Sequence, residues 1–114
     1  MERLKRRADF VAATSGSKAS AAGFVLQARA RGGDQAVRVG FTVSKRIGNA
    51  VERNRIRRRL REIVRLTGPA VMKPGHDYVL IGRRDALTLP FTRMTAELAR
   101  ALERVHAGSK PART

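Results

Sequence analysis

Cysteine and tryptophan are absent from this chain, and tyrosine occurs once. Without cysteine there is no disulfide, no thiolate nucleophile and no cysteine-type zinc site, a composition that suits a reducing cytosol. Acidic residues are scarce, nine against 25 lysines and arginines. They are scattered, so only a contact made by the fold would pair two of them for general acid–base work. Of the two histidines, His76 falls in a turn before a strand and His106 near a helix end, and both are expected as plain surface groups. Ser44-Lys45 has no visible partner arrangement for nucleophilic catalysis. No P-loop and no glycine-rich nucleotide fingerprint is present. No apolar run approaches the roughly 20 residues of a membrane span, and no apolar core of a signal peptide follows the basic start, Met1 to Arg7. These absences predict a cytoplasmic chain with no catalytic side chain and no metal ligand of its own.

What remains is charge. The 114 residues carry a formal net charge of +16. That is a statement about partners rather than about fold, and it favours RNA, DNA or an anionic membrane surface. The apolar fraction of 42% supports a small core, thinned by its many alanines. The length fits one domain, residues 1–114, with 108–114 as a flexible tail.

Along the chain, Leu4, Ala8 and Val11 recur at helical spacing, and the first helix is expected over Lys5 to Thr14. Ser15 to Ser20 reads as a turn or irregular edge, with a possible early strand at Lys18 to Ala22. Ala21 to Arg31 reads as a strand, Gly32-Gly33-Asp34 as a hairpin turn, and Ala36 to Ser44 as the return strand. Asn49 and Glu52 have capping-box spacing. The helix they open is expected to reach about Thr67, with Gly68-Pro69 closing it. Pro74-Gly75 is a turn, and the nearly all-apolar Asp77 to Gly82 suggests an interior strand. Asp85 to Pro90 is a loop. A last helix runs from Phe91 or Thr92 to about His106, with Met94, Leu98, Leu102 and Val105 as its stripe. A mixed sheet covered by helices is the expected solution.

The second helix is the densest feature. From Lys45 to Arg65 there are nine basic residues and two acidic ones, a local charge of +7. At about 100° per residue, Ile56, Leu60, Ile63 and Val64 fall in one buried sector. Asn54, Arg57, Arg58, Arg61 and Arg65 lie roughly opposite. A merely soluble helix would intersperse the two signs, and this face does not. Arginine also greatly outnumbers lysine here, and its planar fork suits phosphate and base stacking. Nucleic acid is the expected partner, with RNA favoured because no helix-turn-helix, zinc-finger or zipper spacing is present. Phe10 and Phe41 are the best candidates for a stacking surface. A structural RNA-binding protein would share this charge. A membrane-surface helix would carry Trp or Phe in its apolar stripe, and this one has neither.

At these residues the chain resembles a known family. Gly48-Asn49-Ala50-Val51-Glu52-Arg53-Asn54-Arg55-Ile56-Arg57-Arg58 is similar to the signature of the bacterial ribonuclease P protein subunit. Arg38 to Arg46, Arg3-Leu4 with Ala8-Asp9-Phe10, and Gly75 to Arg83 fit the same family, in order, over nearly the whole chain. The resemblance implies an α+β fold, a two-layer α/β sandwich similar to the second domain of a small-subunit ribosomal protein. That fold has a four-stranded mixed sheet, three helices in the order αβββαβα and a left-handed βαβ crossover. Strand–helix spacing alone would favour a right-handed one.

The resemblance also implies a job: one protein joins one catalytic RNA, and the complex, an endoribonuclease, removes the 5′ leader of precursor tRNA. The chemistry would belong to the RNA, with Mg²⁺ held mainly by RNA and substrate, and no membrane or second protein would be needed. Carried over by position, Lys45, Arg46, Asn49, Arg53, Asn54, Arg55, Arg57, Arg58 and Arg61 would face the catalytic RNA. Phe10, Gln27, Phe41 and Val43 would line a cleft for the single-stranded leader. Two positions depart from relatives that carry aromatics there, Thr14 and Gln27. A less aromatic cleft predicts weaker stacking and more reliance on phosphate contacts and hydrogen bonds.

Overall fold

The run Tyr78-Val79-Leu80-Ile81 has no hydrophilic face, so as a strand it needs cover on both sides. In the computed structural model, which describes residues 1–33 and 35–108, it has that cover. The elements are β1 (Glu2–Arg3), α1 (Arg7–Ala13), β2 (Ser17–Ala21), β3 (Phe24–Ala30), β4 (Arg38–Thr42), α2 (Ala50–Val71), β5 (His76–Gly82) and α3 (Phe91–Gly108). Short 3₁₀ turns occupy Lys45–Ile47 and Arg84–Leu87. The sheet order is β1-β4-β5-β3-β2, with the apolar β5 at its centre. β5 runs parallel to β4 and antiparallel to β3.

Register sorts the side chains by face. Phe24, Leu26 and Ala28 align with Gly82, Leu80 and Tyr78, and Val39 and Phe41 align with Tyr78 and Leu80. These residues look toward α2 and α3 and form the larger core with Ile56, Leu60, Ile63, Met94, Leu98 and Leu102. The alternate set meets α1, where Leu4, Ala13 and Val79 are buried beside Phe10 and Ile81. The expected stripes of both long helices are therefore the buried ones. They gain an extra member each, Gly68 and Ala101.

Four expectations change. The sheet has five strands rather than four: two-residue β1 pairs parallel with β4, and the Glu2 N–H donates to the Val37 carbonyl at 2.7 Å. The expected long strand Ala21 to Arg31 is broken at Gly23, whose φ of 93° makes a tight turn between β2 and β3. The early strand at Lys18 to Ala22 is thus real, as Ser17–Ala21. β3 and β4 are not a hairpin, because β5 lies between them. The Arg31 N–H instead donates to Gly75 O at 2.6 Å, tying their connection to the start of β5. Finally, α2 does not stop at Gly68-Pro69 but runs to Val71. A residue before proline normally leaves the helical region because its Cβ meets the proline ring. Gly68 has no Cβ, and the Met72 N–H closes the helix on the Gly68 carbonyl at 2.7 Å. The tail expected at 108–114 lies, from Ser109 on, outside the described residues.

Candidate nucleic-acid interface

The arginine helix is entered through a loop that is held at several points. Ser44 Oγ accepts from the Arg46 N–H at 3.2 Å. Asn49 Oδ1 accepts from the Glu52 N–H at 2.9 Å, and Glu52 Oε1 accepts from the Asn49 N–H at 3.1 Å, which completes the capping box foreseen from their spacing. The 3₁₀ turn after β5 supplies a clamp. Arg84 Nη1 donates to Ile47 O at 2.7 Å and Nη2 to Glu52 Oε2 at 2.9 Å. Hydrogen bonds from Arg84 and then from the Asn49 N–H hold the Glu52 carboxyl below its usual range. Gly48 sits inside this clamp, and a Cβ there would lie 2.3 Å from Glu52 Oε1. Arg84 was not foreseen. Its sequence signal was only a basic residue after β5, and its role depends on β5 lying beside β4.

Beyond the loop, Asn54, Arg55, Arg58 and Arg61 are exposed, and Arg53 and Arg57 are half-buried. Arg57 Nη1 donates to Asn54 Oδ1 at 3.2 Å, so the two side chains present a joined polar edge. Lys45, Arg46, Arg53, Arg55, Arg57, Arg58 and Arg61 have no carboxylate partner among the described residues. Arg65 pairs with Glu62 at 2.5 Å. Arg59 turns away: it donates to the Leu89 carbonyl and lies over the Phe91 ring, 4.6 Å from its centroid. Burial, and then the charge of Arg55, pulls its pKa down. It braces α2 against the start of α3 and does not belong to the free face.

Two buried or half-buried acids are committed elsewhere. Asp77 is fully buried on β5 and receives Arg31 Nε at 2.7 Å, Arg38 Nε at 2.8 Å and Arg38 Nη2 at 2.7 Å, with Arg29 at 3.7 Å. Burial alone would raise its pKa, but the hydrogen bonds from Arg38 and Arg31 more than offset this and hold it below the usual carboxylate range. Glu97 on α3 accepts the Ala22 N–H at 3.0 Å and pairs with Arg100 and Arg93. Its pKa is pushed down to about 2, first by the Ala22 N–H and then by Arg100.

The opposite face of the sheet carries a hollow of about 430 Å³ beneath α1. Phe10 packs closely on β4 at Gly40, where a Cβ would fall 2.6 Å from its ring. Gln27, 5% exposed, forms the floor with Val79 and Ile81. Its amide has no hydrogen-bond partner among the described residues. Lys5 and Arg7 stand on the rim, and Thr14 closes the far side. The two basic residues were read only as part of a basic start.

The structure thus brings Phe10, Gln27 and Phe41 to one hollow and separates Val43 from it. Val43 is 5% exposed and packs in the α2-side core, where it would touch any Cβ placed on Gly82 at 3.0 Å. It cannot line the cleft. Phe41 borders the hollow, but its register with Leu80 sends its ring to the α2 side, with the Arg61 guanidinium 5.9 Å from its centroid. Strand order is the reason: with β5 inserted, Gln27 aligns through Val79 with Gly40, so the side chains of Phe41 and Val43 fall on the other parity. His106 also departs from expectation. It is half-buried, 2.7 Å from the Tyr78 hydroxyl, and burial lowers its pKa.

Comparison with known proteins agrees with this fold. The family model Ribonuclease P matches residues 1–106. A ribonuclease P protein component of Ruegeria pomeroyi is 48% identical over 107 residues, covering 91% of this chain and 86% of the relative. One from Paramagnetospirillum magneticum is 47% identical, covering 96% and 86%. Among solved structures, the RNase P protein of Thermotoga maritima superposes with a TM-score of 0.76 at 31% identity, covering 92% of this chain and 98% of that one. That of Staphylococcus aureus gives 0.74 at 28%, covering 91% and 94%.

Proposed function

The chain belongs to the ribonuclease P protein family, and from that premise we propose a division of labour between its two faces. It is the protein subunit of ribonuclease P, whose role is maturation of the 5′ end of tRNA. The outer face of α2 and its entry loop dock on the catalytic RNA through Lys45, Arg46, Asn49, Arg53, Asn54, Arg55, Arg57, Arg58 and Arg61. The hollow beneath α1 takes the single-stranded leader of the precursor, with Phe10 as the stacking platform. Gln27 offers its unpartnered amide to a base edge, and Lys5 and Arg7 meet the phosphates. Hydrolysis of the phosphodiester belongs to the RNA, which holds Mg²⁺ together with the substrate. The protein positions the leader and lowers the repulsion between two polyanions. The complex contains one protein and one RNA and works in the cytoplasm. Among the described residues no helix is long and apolar enough to cross a membrane.

The observation that carries this reading is the accounting of charge. The arginines of the outer face have no carboxylate to answer them, while Asp77, Glu52, Glu62 and Glu97 are each engaged by other arginines. Arginines left facing solvent at this density need an anionic partner. The test is 5′-leader cleavage of a precursor tRNA by the cognate catalytic RNA at low Mg²⁺, with and without the protein. Strong stimulation, with no cleavage by protein alone, is expected. Tight RNA binding without stimulation would instead make the chain a structural RNA-binding protein.

A further inference from the structure

A second hollow, of about 530 Å³, opens on the α2 side between β1, β4 and the helix. Its volume lies in the range of pockets that hold small organic groups, about 300–1,000 Å³. The floor is apolar, built from Val39, Phe41 and Val64, with Met1 and Pro69 at its ends. Arg58, Arg61 and Arg65 stand along the helix side. Arg58 and Arg61 are exposed and lack a carboxylate partner among the described residues. Glu62, tied to Arg65, and Glu2 place acceptors on the rim.

We propose that this hollow receives one unstacked nucleobase of the RNA bound by the α2 face. The inference deepens the reading of that face given above and rests on it. A phosphate alone does not suit the site, because its floor offers no donor. A purely apolar partner does not suit it either, because it would strand two arginines at its edge. A base joins both requirements: an apolar ring for the floor, edges that hydrogen-bond the rim, and flanking phosphates within reach of Arg58 and Arg61. The spacing at Phe41 fits as well. Arg61 stands 5.9 Å from the ring centroid, against 4.6 Å for the closed Arg59–Phe91 contact. Sandwiching a flat base requires roughly 7 Å, twice a normal contact distance, so Arg61 needs to swing out by only about 1 Å. Phe41 borders the leader hollow while its ring turns to the α2 side, and it thereby acquires a role on that face. The arginine ridge acquires a means of choosing an RNA with an unpaired nucleotide beside the docking helix, where phosphate contacts alone carry no such information.

The direct probe is a pair of small molecules that differ only in the base, adenosine 5′-monophosphate and ribose 5-phosphate. Methyl NMR of the wild-type chain is expected to show Val39 and Val64 shifting with the nucleotide and remaining still with the sugar phosphate. Equal shifts from both, or none from either, would overturn the proposal. In parallel, Phe41→Leu keeps an apolar residue but removes the aromatic face. It is expected to weaken binding of the catalytic RNA on the order of tenfold with an unchanged salt slope, its methyl spectrum reporting that the fold is retained. Wild-type affinity in Phe41→Leu would overturn the base site and leave the α2 docking face standing. If the wild-type chain failed to bind the catalytic RNA, both readings would fall together.

Discussion

Two groups of arginines in this molecule have the same chemistry and opposite fates. Arg29, Arg31 and Arg38 converge from β3, its end and β4 on the buried carboxylate of Asp77. Arg55, Arg58 and Arg61 stand on α2 with no carboxylate in reach among the described residues. The first group is satisfied within the fold, joining the central strand to its neighbours on both sides. The second is complete only when something anionic arrives. What separates a structural arginine from a binding one here is therefore the position of one acid, and the sequence-wide charge of +16 hides that distinction.

The hardest break of this comparison is removal of Asp77. Asp77→Ala leaves arginines facing one another without their anion, and breaking a buried ion pair this way costs about 3–5 kcal/mol. Urea unfolding should register that loss. A loss under about 1 kcal/mol would mean the cluster is no structural hub. The next effect sharpens the contrast between the two faces. Phe10→Ala should weaken precursor tRNA binding by the holoenzyme by about 1–3 kcal/mol, the worth of one base–aromatic stack, and leave mature tRNA binding unchanged. Equal losses for both would remove the leader from the α1 hollow.

Acid separates the groups in another way. In the fold Glu97 is pushed down to about 2, well below the usual glutamate range, and Asp77 is also held low. Depressed carboxylates stabilise the fold at pH values above their unfolded pKa, and that contribution is lost as pH falls toward the folded value. Stability should fall modestly below about pH 6.5, where the unfolded chain protonates His106 before the folded one does, and then decline between about pH 4.5 and 2 as the carboxylates protonate. In Glu97→Gln that decline should be shallower, and an unchanged acid limb would contradict the assignment. The smallest effect expected is that of Arg84→Met. Its pair with Glu52 is exposed and screened by solvent, so the melting temperature should scarcely move. RNA affinity should still drop several-fold because the loop from Ser44 to Asn49 loses its clamp.

Much of this was legible in the chain itself. The stripe Ile56, Leu60, Ile63 and Val64 fixes which way α2 faces, and with it the outer arginines, because helical periodicity is local information. The capping box at Asn49 and Glu52 is local in the same sense. The α1 hollow was only half legible. Which side chains share a sheet face depends on strand order, and β5 enters between β3 and β4 from nearly forty residues along the chain. Val43 falls in the α2-side core, and the Phe41 ring turns to that side, for that reason alone. The Asp77 cluster and the Arg84 clamp were invisible for the same cause: each joins residues whose proximity exists only once the sheet is assembled.

The most direct test of the contrast is the salt dependence of binding to the catalytic RNA, measured for the wild type and for Arg57, Arg58 and Arg61 replaced together by alanine. With about five phosphate contacts, log K for the wild type should fall against log salt with a slope of about −4. The triple variant should lose roughly two to three units of that slope while keeping its melting temperature. A triple variant with the wild-type slope would place the RNA on another face and contradict the account.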